Sequence, residues 1–141
     1  PVTRRSLEHG LRIPAAVYLD AIKCRDALLS EMLATTFAKI DVLVTPTLSL
    51  PVPTMAEVEA DLEHQQHYRA LARNTKPFNT YGLPALSLPG GFTADGLPVG
   101  IQLVGRPHAE SLLFRVGNAF QKVVDHHSHI PTVKDGAYFI E

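Results

Sequence analysis

Ser87 and Lys76 are the residues whose types could support nucleophilic chemistry, since a serine hydroxyl attacks a carbonyl only when a neighbouring base takes its proton. Ser87, however, sits in the run Leu86-Ser87-Leu88 without the strained, glycine-flanked turn that lifts a nucleophile clear of its strand. A packing or hydrogen-bonding role is therefore expected. Lys76 lies between Thr75 and Pro77 in a polar loop, whereas a lysine must be largely buried to be neutral near pH 7. It reads as a solvated side chain. His126, His127 and His129 cluster, and His64 with His67 have helical i, i+3 spacing, but neither group adds cysteine or carboxylate ligands at the intervals of a structural or catalytic metal site. Pro89-Gly90-Gly91 lacks the Lys-Ser/Thr and the following helix of a phosphate loop, so a strand end or bulge is the better reading. The segment from Ala72 to Gly82 is the expected ligand surface, because it leads into two predicted strands and loops on rigid scaffolds concentrate contacts. Asn79 and Gly82 also fit the plainer requirement of a turn.

The elements that would position these residues are readable from periodicity. Ala85 to Phe92 and Leu97 to Val104 alternate as a β-hairpin, with Thr93 to Gly96 as the turn and Asp95-Gly96 as its strongest signal. Alternation puts Leu86 and Leu88 on one face, groups Val99, Ile101 and Leu103 on one face of the partner strand, and leaves Ser87, Gly100 and Gln102 on the other. Upstream, Ala15 to Lys39 predicts a long amphipathic helix begun by Pro14, with Tyr18, Ile22, Leu29, Met32, Leu33 and Ile40 within about 100° of one another in projection. Arg25 falls in that stripe and must either reach solvent along its stem or meet an acceptor. Asp41 to Thr45 reads as a short strand covered on both faces, as in the parallel part of a sheet. Thr47 to Met55 is expected to be extended, a helix is expected from about Glu63, and a clear one over Ala109 to Asp125 is weakened at Gly117 by about 1 kcal/mol relative to alanine. Pro1 to Arg12 shows no periodicity, and a short strand is expected at Tyr138 to Ile140.

The 141 residues suffice for a single core, and 45% hydrophobic with 19% charged content describes a folded chain. A net charge of −1 argues against nucleic acid or an anionic membrane surface as a partner. The lone cysteine, Cys24, cannot form an internal disulfide, no apolar run approaches the roughly 20 residues of a membrane span, and a cytoplasmic location is expected.

The order Thr75, Pro77, Asn79, Gly82, Pro84, Ser87, Pro89, followed by Asp95-Gly96-Leu97-Pro98-Val99-Gly100-Ile101-Gln102-Leu103-Val104-Gly105, resembles the C-terminal region of amidase-signature hydrolases. Upstream, Tyr18, Ala21, Arg25, Phe37 and Asp41 to Thr47 follow the same pattern, as do Arg106-Pro107, Glu110, Leu112 and Leu113 downstream. The resemblance implies an α/β fold in which residues 1–141 are the C-terminal part of a mixed β-sheet flanked by helices, one portion of a single amidase domain. It also implies hydrolysis of a carboxylic amide to an acid plus ammonia or an amine by a serine nucleophile, without metal or organic cofactor. Nothing here resembles the family's two catalytic serines and lysine, so no catalytic residue is assigned and the chain alone is expected to be inactive. Ala72, Thr75, Phe78 and Asn79 match the stretch that lines the family's substrate pocket. Transamidase subunits that use glutamine usually carry an acidic residue where Ala72 stands, which disfavours glutamine. The expected partners are a small amide substrate and the N-terminal part of the same protein. An open sheet edge would also favour a homo-oligomer. The competing reading is a non-catalytic binding or assembly module derived from an amidase.

Overall fold

The computed structural model describes residues 2–60 and 66–129. The chain divides into two compact units, residues 1–39 and 40–141.

The first unit holds helices α1 (Val2–Gly10) and α2 (Ala15–Thr35). The segment without apolar periodicity is thus helical, and its local support is ionic, with Arg4 Nε 2.9 Å from Glu8 Oε1 one turn on. Pro14 is the cap residue of α2, with extended backbone at φ −60° and ψ 142°, one position earlier than a first-turn proline. In α2 the half-buried positions are Ile22, Leu29, Met32 and Leu33, all on the predicted stripe, whereas Tyr18 is exposed. The helix stops at Thr35, four residues before the expected Lys39, and the backbone N–H groups of Thr36 and Phe37 both close onto the Met32 carbonyl. Arg25 reaches solvent and pairs with its neighbour Asp26 at 2.8 Å.

The second unit is built on a three-stranded sheet of β1 (Leu43–Pro46), β2 (Ala85–Phe92) and β3 (Pro98–Val104), in the order β1-β3-β2. Both pairings are antiparallel. The hairpin forms as expected. Thr93 closes the turn through its backbone N–H to Leu97 O (2.8 Å) and its hydroxyl oxygen to Leu97 N (3.0 Å), and Gly96 takes the left-handed conformation at φ 82°. Gly90 is the bulged residue between the Pro89↔Gly100 and Gly91↔Val99 pairs. A Cβ there would lie 2.6 Å from Ile101 Cγ2, which explains why glycine occupies the bulge.

The strand predicted for the parallel part of a sheet, Asp41 to Thr45, is corrected in two respects. It begins at Leu43 and runs antiparallel to β3, with Leu43 opposite Val104 and Thr45 opposite Gln102. It also alternates in burial, with Val44 58% exposed although it shares the face of Leu103, because α6 packs on β2 and β3 and leaves the edge strand β1 uncovered on that side. Three apolar residues in a row cannot by themselves separate a doubly covered strand from an edge strand.

Between β1 and β2 the described residues hold the helical segments α3 (Met55–Ala60), α4 (Gln66–Leu71) and α5 (Lys76–Tyr81). The extended stretch from Thr47 ends at Met55, where Thr54 caps α3 by reciprocal bonds with Glu57. Of the helix predicted from Glu63, residues 63–65 lie outside the described residues, as do His64 and the strand predicted at Tyr138 to Ile140. The α5 segment, expected as loop, has Thr75 at its cap, Pro77 in its first turn and Gly82 at φ 68° ending it.

Helix α6 (Glu110–Val123) covers the face of the sheet that carries Leu86, Leu88, Ile101 and Leu103. Leu88, Leu103 and Leu113 form the buried centre, with Val42, Val116 and Phe120 packed around it. Gly117 is a place of contact, since a Cβ there would come within 2.9 Å of Leu86 Cδ2 and 3.2 Å of Leu88 Cδ1. A single 3₁₀ turn, His126–Ser128, follows the helix.

Candidate functional site

The face of the sheet turned away from α6 carries polar side chains. Thr45, Gln102 and Ser87 are directly opposite one another across β1, β3 and β2, so strand pairing alone makes a row of hydroxyl, carboxamide and hydroxyl. Gln102 is buried at 4% exposure, and its Nε2 donates to Thr45 Oγ1 and to the backbone oxygen of Asn74, both at 3.1 Å. Asn74 Nδ2 in turn donates to Pro46 O at 2.9 Å. Beside this row, the backbone N–H of Thr47 donates to Gly100 O (2.9 Å), and Thr47 Oγ1 reaches Ser87 Oγ at 2.8 Å. That reach crosses β3 at Gly100, where a Cβ would stand 2.9 Å from Thr47 Oγ1 and 3.2 Å from Ser87 Oγ. Gly100 is therefore a gap that allows two hydroxyls on separate strands to meet.

A cleft of about 270 Å³ continues along the sheet towards the hairpin turn, between the segment Leu48–Val52 and Thr93 with Leu97–Gly100. No lining side chain is charged. Ser49 Oγ closes one wall by a hydrogen bond to the backbone oxygen of Ala70.

Of the four residues expected to meet substrate, Ala72 and Thr75 lie between α4 and α5 and Phe78 and Asn79 within α5, and none lines this cleft. Ala72 and Thr75 are half-buried and joined through Thr75 Oγ1 and Ala72 O at 3.3 Å. Phe78 is buried, while Asn79 is exposed and its carbonyl accepts the Gly82 N–H at 3.2 Å. Asn74 ties the corner to the polar row. The cleft has no signature in the sequence because its walls come from a proline-rich loop and a hairpin end that show no common pattern. Thr45 and Thr47 are further members of the site that the sequence reading does not pick out, although their i, i+2 spacing places them on one side of an extended chain.

The arrangement can hold a neutral polar group by hydrogen bonds beside an apolar one, but it offers no acid or base. Lys76 is exposed at the start of α5, and the Ser87 hydroxyl is occupied by Thr47. Among the described residues, no three histidine, cysteine or carboxylate side chains are placed to hold a metal ion. His126 and His129 instead lie edge-on to Phe92, at ring separations of 6.2 and 6.0 Å. The described residues contain no helix long and apolar enough to cross a membrane.

This chain belongs to the amidase family, whose profile, described as Amidase, matches residues 1–114. AmiD of Mycobacterium tuberculosis is 35% identical over 133 residues, covering 94% of this chain and 28% of that protein. A glutamyl-tRNA(Gln) amidotransferase subunit of Moorella thermoacetica is 41% identical over 116 residues, covering 82% and 23% respectively. Among solved structures, 6-aminohexanoate cyclic dimer hydrolase complexed with substrate superposes with a TM-score of 0.74 at 25% identity, over 86% of this chain and 27% of that one. The chain spans about a quarter of the length of the curated relatives it matches, so it corresponds to a region of the amidase domain.

Proposed function

We propose that these 141 residues are the C-terminal portion of a single amidase domain, and that the complete protein hydrolyses a carboxylic amide to an acid plus ammonia or an amine. The observation that carries this reading is the Amidase match over residues 1–114. In the proposed mechanism, a neutral lysine accepts a proton relayed by one serine from a second serine. The second serine attacks the carbonyl while backbone N–H groups stabilise the oxyanion. The C–N bond breaks as the lysine's proton is relayed to the departing ammonia or amine, and water then hydrolyses the acyl-serine ester to release the acid. All three side chains would be supplied by the N-terminal part of the same protein, in the cytoplasm and without a cofactor. This chain would contribute a wall of the substrate chamber through Ala72, Thr75, Phe78 and Asn79. The uncharged polar row, tied to these residues through Asn74, supports that role, because it offers hydrogen-bonding groups but no acid or base. Ala72, unlike an acidic residue, offers nothing to the α-ammonium group of glutamine, so simple amides are favoured over glutamine as substrates.

The test is ammonia or amine release by the longer protein from aliphatic and aromatic amides and from glutamine. Turnover of at least one simple amide with glutamine a poor substrate is expected. Failure on every amide would overturn the proposal and leave the reading of a non-catalytic module.

A further inference from the structure

The α4–α5 corner is held by the buried ring of Phe78 and by hydrogen bonds at Asn74. Of its helices, α5 is six residues long, and an isolated helix of that length is unstable in water. Between them, Asn74 is joined to the sheet by two hydrogen bonds that involve side chains. Gln102 uses one carboxamide nitrogen for two acceptors, Thr45 Oγ1 on β1 and Asn74 O on the corner. Asn74 returns a bond to Pro46 O at the end of β1. The three groups form a clamp in which the central strand grips the edge strand and the corner at once. A carboxamide this deeply buried is costly unless it is hydrogen-bonded, so its bonds are strongly preferred to exposure or rearrangement.

We propose that Gln102 is a positioning residue, which through Asn74 sets the placement of the α5 segment and hence of Thr75 and Asn79 towards an amide substrate. The second half of this statement rests on the function proposed above, whereas the clamp itself does not. Thr75 directly follows the clamped residue and caps α5, and the Asn79 N–H bonds back to Thr75 O at 3.2 Å. A shift at Asn74 therefore passes along one short helix.

The clamp is tested by hydrogen exchange on the 141-residue chain and Gln102→Met, which keeps side-chain length and removes both bonds. Exchange should rise by about tenfold or more at the amides of Asn79, Gly82 and Leu83, while Leu113 and Val124 in and after α6 stay within about twofold of the parent. Unchanged exchange at the corner, or an equal rise everywhere, would overturn the proposal. If Gln102→Met does not fold, Asn74→Ala, which removes only the bond to Pro46 O, is read by the same criterion. In the longer protein, Gln102→Met should raise KM about tenfold with kcat changed less than about threefold, the signature of weakened ground-state binding. Equal kinetics despite a loosened corner would overturn the substrate-positioning half. Absence of amidase activity in the unsubstituted longer protein would instead overturn the functional reading and leave the exchange result standing.

Discussion

At the scale of single residues, the informative positions are those where a side chain is missing. Gly100 has no Cβ, and this allows Thr47 Oγ1 and Ser87 Oγ to meet at 2.8 Å across β3. Gly100→Ala is expected to push that pair apart and lower stability by about 1–3 kcal/mol, the range for overpacking a close contact, as read by urea unfolding. An unchanged unfolding midpoint would show that the hydroxyl pair has room to give way. Alternation alone places Ser87, Gly100 and Gln102 on one face, so half of the polar row is legible in the sequence. Its other half is not, because the partners Thr45 and Asn74 are 57 and 28 residues from Gln102 and are brought there by strand register and by the α4–α5 corner respectively. For Arg25 the sequence leaves two readings open, and the adjacent Asp26 supplies a mixed answer of solvent exposure with an ion pair.

At the scale of elements, the long periodic segments are legible and the short capped ones are not. The hairpin, α2 and α6 carry enough residues for alternation or a stripe to show. By contrast α5, at six residues, has no room for a stripe, and only its ends carry signals, as does the start of α3. Thr54 with Glu57 is a capping box, and Pro77 with Gly82 follows the rule of early proline and terminal glycine. The turn after α6 has an electrostatic consequence. The Ser128 hydroxyl, 2.6 Å from Asp125 Oδ1, holds the Asp125 carboxyl below its usual value of 3.8, with smaller help from His129, His127 and His126 and some opposition from desolvation. Because the folded value is the lower one, the bond's contribution is present above the ordinary carboxylate range and is lost as pH falls through the folded value. Titration of the Asp125 carboxyl carbon by NMR should give a midpoint below 3.8, and Ser128→Ala should move it upwards. A midpoint unmoved by that substitution would exclude the serine bond as the cause.

At the scale of the molecule, the described part of the second unit is one small sheet with a helix over one face and a polar row and cleft on the other. Its outer strands β1 and β2 have no further strand partner among the described residues. The α/β class and the amidase relationship are legible from glycines, prolines and alternation, since these encode backbone geometry. The cleft is not, because concavity arises from where loops stop in space. The central claim is that this region shapes an amide-binding wall while the proton-transferring groups belong to the rest of the domain. Ammonia release by the purified 141-residue chain from a panel of simple amides tests this most directly. The account predicts no release above the buffer blank, whereas turnover abolished by Ser87→Ala or Lys76→Ala would contradict it.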